Sequence, residues 1–233
     1  MSDTLSQPLA DRIAKLELKQ DRLMESDTPT TAQQGAIQAL ADGKTHYTDR
    51  PGIAPLREWV AQQINTRYEI QIDKDQITIT CGIEEAIFAS VMVLAQSAIL
   101  VIGDATHLHG TSILKDVPLI YTSEQLSSHM LIYLTSQDAQ EDITTILDHA
   151  DAETCWVVWD TTQGTGTFHP AQHEKWASRT VTIGSMEDTL KGWRIGWMAG
   201  SSQAGALRSF KQSMTICSPS ISQWAAYEWA SKQ

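Results

Sequence analysis

The stretch ITITCGIEEAIFASVMVL, residues 77–94, decides the fold. Isoleucine and threonine alternate over its first four positions, as in a strand with one face in a core. Gly82 follows one residue later, and from Ile83 onward glutamate, alanine and large apolar residues favour a helix. A strand, a glycine and a helix N-terminus together present backbone N–H groups and the positive end of a helix dipole, which suits a phosphate. The turn is either such an anion cup or an ordinary strand-to-helix connection.

Working outward, further short β-branched or apolar runs lie at 99–102, 119–121, 130–134, 156–159, 181–183 and 194–198. With 77–80 they make seven candidate strands, several separated by helix-length connections. That pattern predicts an α/β layer fold with a largely parallel sheet. Toward the N-terminus, Leu5, Leu9, Ile13 and Leu16 recur at helical spacing, so residues 5–24 are expected to form an amphipathic helix, packed on its own domain or on a partner subunit. Further helices are expected over 31–41, ended by Gly43, and over 55–67, opened by Pro55. The organisation read from this is a helical arm, 1–30, and one α/β domain, 31–233.

The 233 residues carry 17 Lys and Arg against 28 Asp and Glu, a formal charge of -11. Nucleic acid and anionic membranes both reward clustered cations, and the chain has no such cluster, so neither is expected as a partner. Cys81, Cys155 and Cys217 lie far apart, without metal-ligand or disulfide spacing, and point to a reducing, cytoplasmic setting. No metal site is expected.

In parallel sheets ligands bind beyond the carboxyl ends of the strands. After ILVI come His107 and His109, two apart, which an extended chain would aim to one side. After WVVW comes Asp160, a carboxylate too costly to bury unless it meets a ligand, a cation or a strong donor. Near the last strand, Ser185 and Arg194 make a candidate phosphate clamp, or Arg194 makes a salt bridge.

Together these segments resemble the fold-type I, pyridoxal-phosphate-dependent aminotransferases of classes I and II. AIQALADGKTHYTDRPGIAPLREWVA (36–61) is similar to their tyrosine-bearing region, and ITITCGIEEAIFASVMVL to their phosphate turn. ILVIGDATHLH (99–109) resembles the segment with the ring-covering residue. WVVWDTTQGTGTF (156–168) resembles the strand ending in the aspartate that meets the pyridinium nitrogen, and GSMEDTLKGWRIGWMAGS (184–201) resembles the Schiff-base segment. The resemblance implies the three-layer large domain of that family with a mostly parallel seven-stranded sheet. It also implies a homodimer and a small phosphorylated or amino-acid-like ligand. Residue by residue, Tyr47 would reach the cofactor phosphate of a neighbouring subunit. Gly82, Ile83 and Glu84 would form the phosphate turn, completed by Ser185 and Arg194. His107 would cover the ring and Asp160 would hold its nitrogen proton.

The departures matter as much. Read from Ser185, the family's Ser-x-x-Lys places Asp188 where the lysine belongs, and Lys191 is the nearby substitute. An aspartate cannot form a Schiff base. After MLIYLT the family's Asn-Pro-x-Gly is replaced by SQDAQED, leaving Gln137 or Asp138 for the asparagine's part, and Gln163 stands at a tyrosine position. The family's small C-terminal domain is expected to be missing. The expected function is therefore an aminotransferase-like protein that binds pyridoxal 5'-phosphate non-covalently without transaminating. The alternatives are a minimal active enzyme using Lys191, or a dimeric interaction protein with a vestigial pocket.

Overall fold

The computed structural model describes residues 27–233 apart from Gln163 and Thr165. The helix expected over 5–24, and with it most of the arm 1–30, lies outside the described residues. Helix α1 spans Thr30–Ala41 and α2 Ala54–Tyr68, the latter with a proline in its first turn and a left-handed Glu69 ending it. Then come β1 (Ile77–Cys81), α3 (Gly82–Leu94), β2 (Ile99–Val101), α4 (His109–Lys115), β3 (Leu119–Ile120) and β4 (Leu131–Thr135). The chain continues through α5 (Gln140–His149), β5 (Trp156–Asp160), α6 (Glu174–Ala177), β6 (Thr180–Ser185), β7 (Ile195–Ala199), α7 (Ala204–Thr215) and α8 (Ser220–Ala230).

All seven expected strands form one sheet, in the order β1-β7-β6-β5-β4-β2-β3. The pairs β6–β5, β5–β4, β4–β2 and β2–β3 are parallel, whereas β7 is antiparallel to both of its neighbours. Connection length explains the exception. Residues 186–194 between β6 and β7 are too few for the crossover a parallel pair requires.

Side-chain alternation sorts the strands onto two faces. Leu131, Tyr133, Trp156 and Val158 join Ala86, Ala89 and Val91 of α3 in one core cluster. Ile132, Leu134, Val157 and Trp159 join Ile143 and Leu147 of α5 and Trp176 of α6 on the other side. A third cluster packs Ile77 and Ile79 of β1 and Ile195 of β7 beneath α2 and α8. Helices thus cover both faces, giving the three layers expected. Trp224, Tyr227 and Trp229 of α8 are half-buried within their own chain, with Lys44 3.9 Å over the Trp224 ring and Trp59 edge-on to Trp229. Their surface is therefore already largely covered.

Candidate functional site

Asp160 ends β5 on the face shared by Trp156 and Val158, the same face Tyr133 takes on β4. Tyr133 lies opposite Val158 in the register, so Asp160 is its diagonal neighbour. The Tyr133 hydroxyl donates to Asp160 Oδ2 at 2.5 Å. Thr162 donates to Oδ1 twice, from its backbone N–H at 2.9 Å and its hydroxyl at 2.6 Å. Three donors explain how a carboxylate only 6% exposed is tolerated. Of the partners the sequence allowed, a ligand, a cation or a strong donor, the chain itself supplies neutral donors: two hydroxyls and a backbone N–H. Burial first, then the charge and hydrogen bond of Asp160, push the Tyr133 hydroxyl well above its ordinary pKa, so it remains a donor.

His107 lies in the short turn Thr106–Leu108 between β2 and α4, its ring 5.2 Å from that of Tyr133. The extended segment that would have aimed His107 and His109 together is not formed. Asp104 Oδ1 accepts from the Thr106 N–H at 2.9 Å and curls the chain, and His109 becomes the first residue of α4, with its ring 3.4 Å from the Tyr121 hydroxyl. Protein packed around the His107 ring holds its pKa below the ordinary value, against the pull of Asp160 and Asp104. The residue keeps one side open to solvent, which limits the effect.

These groups surround a cavity of about 600 Å³ at the carboxyl ends of the strands. Its walls are Ile83, Glu84 and Ile87 of α3, Ile102, Gly103, Asp104 and His107 after β2, Thr135 at the end of β4 with Gln137 and Asp138 beyond it, and Asp160 and Thr162. Glu84, Asp104, Asp138 and Asp160 bring four carboxyl groups to it; among the described residues no lysine or arginine lines it. Burial raises the Asp138 pKa, opposed by the Thr135 N–H that donates to it at 2.7 Å.

Beside the cavity, Arg194 packs on Gly82, and Ser185 ends β6 opposite Gly196. Gly82 has φ +78°, and a Cβ there would sit 2.3 Å from Arg194 Nη2, so the guanidinium lies flat on the glycine. Gly196, opposite Ser185 in the sheet, packs on the Gly82 backbone. β7 begins one residue later than expected, because Arg194 has φ 57°, in the left-handed region. Its guanidinium already has acceptors: Glu84 Oε2, Glu187 Oε1 at 2.8 Å and the Cys81 carbonyl at 3.3 Å. Burial opposes the arginine's charge, yet these carboxylates hold its pKa above the ordinary value. The Ser185 hydroxyl accepts from the Glu187 N–H at 3.3 Å. Glu85 adds a further carboxylate, accepting from the Cys81 N–H at 2.6 Å.

Asp188 and Lys191 stand apart. Both are exposed, on a turn anchored by buried Met186 and Leu190, and neither lines the cavity. Tyr47 is 82% exposed and does not reach the cavity of its own chain. Gln163 lies outside the described residues. Gln137 and Asp138, the residues offered for the asparagine's part, do line the cavity. Tyr133 and Glu187 were missed. Alternation in MLIYLT could have placed Tyr133 on the Asp160 face, but nothing in the sequence supplies the β4–β5 register.

Tested on these residues, a pyridoxal-phosphate ring fits: Asp160 can accept from a protonated ring nitrogen and His107 can cover a flat face. The phosphate and aldehyde ends do not fit, because carboxylates already occupy Arg194 and no lysine among the described residues lines the cavity.

No family model matches the chain. It is similar to the (5-formylfuran-3-yl)methyl phosphate transaminase of Methanocaldococcus jannaschii, 26% identical over 234 residues, covering 89% of this chain and 62% of that one. A probable aspartate aminotransferase of the same organism is 43% identical over 68 residues, 29% of this chain and 18% of that protein. Among solved structures, N-succinyldiaminopimelate aminotransferase from Mycobacterium tuberculosis superposes with a TM-score of 0.80 at 22% identity, covering 96% of this chain and 67% of that one. The chain spans about three fifths of the length of the curated relatives that match most of it.

Proposed function

We propose, for a chain that is a member of the fold-type I aminotransferase family, that it holds a pyridoxal-type ring without covalent attachment and does not transaminate. One observation carries this reading: the ring-binding pair His107 and Asp160 lines the cavity, whereas Lys191, the substitute for the Schiff-base lysine, is exposed on a separate turn. Asp160, fixed by Tyr133 and Thr162, accepts from the ring N–H; His107 covers one face; Ile83 and Ile87 narrow the apolar side of the cavity.

Residues 31–233 make up the large domain in this proposal, with 1–30 as an arm. The partner is a second copy of the chain: Ile37, Leu40 and Tyr47 are large apolar side chains left 67%, 57% and 82% exposed. The three described cysteines are free, in keeping with a cytoplasmic setting. Among the described residues no helix is long and apolar enough to cross a membrane.

The test separates ring binding from covalent chemistry. Ring binding is measured calorimetrically with 4-deoxypyridoxine, which has no aldehyde. Asp160→Asn is expected to weaken it about tenfold or more, the loss of one charge-assisted hydrogen bond. Protein treated with pyridoxal 5'-phosphate and borohydride is expected to yield no stoichiometric pyridoxyl-lysine. Recovery of that adduct at Lys191, together with amino-group transfer, would establish the enzymatic alternative instead.

A further inference from the structure

We infer that Glu84 and Glu187 are a built-in anion filling the cup at the start of α3, so that the cavity selects a flat, protonated nitrogen heterocycle that carries no phosphate. The inference rests on the ring-binding role proposed above for Asp160 and His107, and it specifies which ligands of that kind are admitted.

The cup has two sources of positive potential, the N-terminus of α3 and Arg194. The chain's own carboxylates bond Arg194 and stand in the first turn of α3. Glu84 and Glu85 sit in the first turn of α3, where the helix dipole favours a negative charge, and Glu85 accepts from the Cys81 N–H. Glu84 also bonds Arg194 Nη2, and Glu187 approaches Nη1 from the β6–β7 connection at 2.8 Å. Gly82 lets the guanidinium rest on the helix start, so one arginine bridges two elements, each contributing a carboxylate. A phosphate entering here would have to displace Glu84 and Glu187 and remain beside both. An unphosphorylated ring meets no such opposition: its protonated nitrogen faces Asp160, and an amino substituent would find Asp138 on the walls. These ion pairs are partly solvated, Arg194 being 39% and Glu84 67% exposed in their side chains, so the selection is a preference rather than a block.

Binding of 4-deoxypyridoxine and of its 5'-phosphate is compared in the wild type and in a Glu84→Gln, Glu187→Gln double variant. The wild type is expected to bind the two within about threefold of each other, the phosphate adding little. The double variant is expected to gain about tenfold or more for the phosphate ester, consistent with removing two competing carboxylates, and to hold the unphosphorylated ring within about threefold. Adding Arg194→Met to the double variant should abolish the gain. Inorganic phosphate, followed by melting temperature, reads the cup without the ring and should stabilise the double variant but not the wild type. A wild type that prefers the phosphate ester tenfold, or a double variant with no gain for the ester or for inorganic phosphate, overturns the inference. If neither ring compound binds while inorganic phosphate stabilises only the double variant, the filled cup stands and the ring-binding role of Asp160 and His107 falls.

Discussion

Tyr133 and Asp160 meet across β4 and β5 in a 2.5 Å hydrogen bond that ties the buried carboxylate to the sheet. Replacing Tyr133 with Phe removes one of the three donors to Asp160. Stability is expected to fall by about 1–3 kcal/mol, the usual cost of leaving a buried acceptor short of a partner. Urea unfolding of Tyr133→Phe at pH 7 measures it, and a change below half a kcal/mol would show that Thr162 and solvent suffice.

The same pair sets an alkaline limit. Because the Tyr133 pKa is raised in the folded state, the native protein binds that proton more tightly than the unfolded chain. Its contribution is complete below the ordinary tyrosine pKa of about 10 and is lost as pH rises beyond it. Unfolding free energy followed from pH 9 to 11 should decline more steeply for the wild type than for Tyr133→Phe.

His169 imposes an acid limit. It is 1% exposed; its Nδ1 accepts from the Ala171 N–H at 3.0 Å, so its Nε2–H donates to the Thr182 hydroxyl at 2.8 Å. Burial lowers its pKa to about 3. Below pH 6.5 the unfolded chain takes up a proton that the native state refuses, so stability is full above 6.5 and falls as the pH drops toward 3. Between pH 7.5 and 5.0 this group should cost about 2 kcal/mol. The difference in unfolding free energy between those pH values should shrink by that amount in His169→Gln; equal slopes in the two proteins would remove His169 as the cause.

Lys211 is fully buried, 3.9 Å from Glu85 Oε2 and donating to the Thr215 hydroxyl at 3.0 Å. Lys211→Met removes the cation beside Glu85, leaving that carboxylate the Cys81 N–H and the Thr215 hydroxyl, and is expected to cost about 3 kcal/mol. Adding Glu85→Gln should recover part of that loss. Additive losses in the double variant would mean that the two charges do not depend on each other.

Self-association through α1 gives a further check. Ile37→Glu with Leu40→Glu puts two charges on its exposed apolar face. Sedimentation velocity should then show a smaller species than the wild type with an unchanged melting temperature at low concentration; identical profiles would place the contact elsewhere.

Much of this fold was legible in one dimension. Period-two alternation in ITIT and the short apolar, β-branched runs WVVW and VTI mark strands wherever they later pair, and Gly82 marks the turn because few other residues tolerate its φ of +78°. The positions of Asp160 and His107 followed from their place just after strands. The antiparallel setting of β7 was harder to foresee, since it depends on which strand lies beside which.

What the chain by itself determined is the inventory: seven strands, the helices between them, and a histidine and an aspartate at strand ends, all fixed by local periodicity and conformational preference. Tertiary structure alone decided who meets whom. Register brought Tyr133 to Asp160, and the packing of α3 against β7 gave Arg194 to Glu84 and Glu187, partners 110 and 7 residues away along the chain. A charge is written in the sequence, but whether it is spent on a neighbour or left for a ligand depends on distances of a few ångströms that only the folded chain sets.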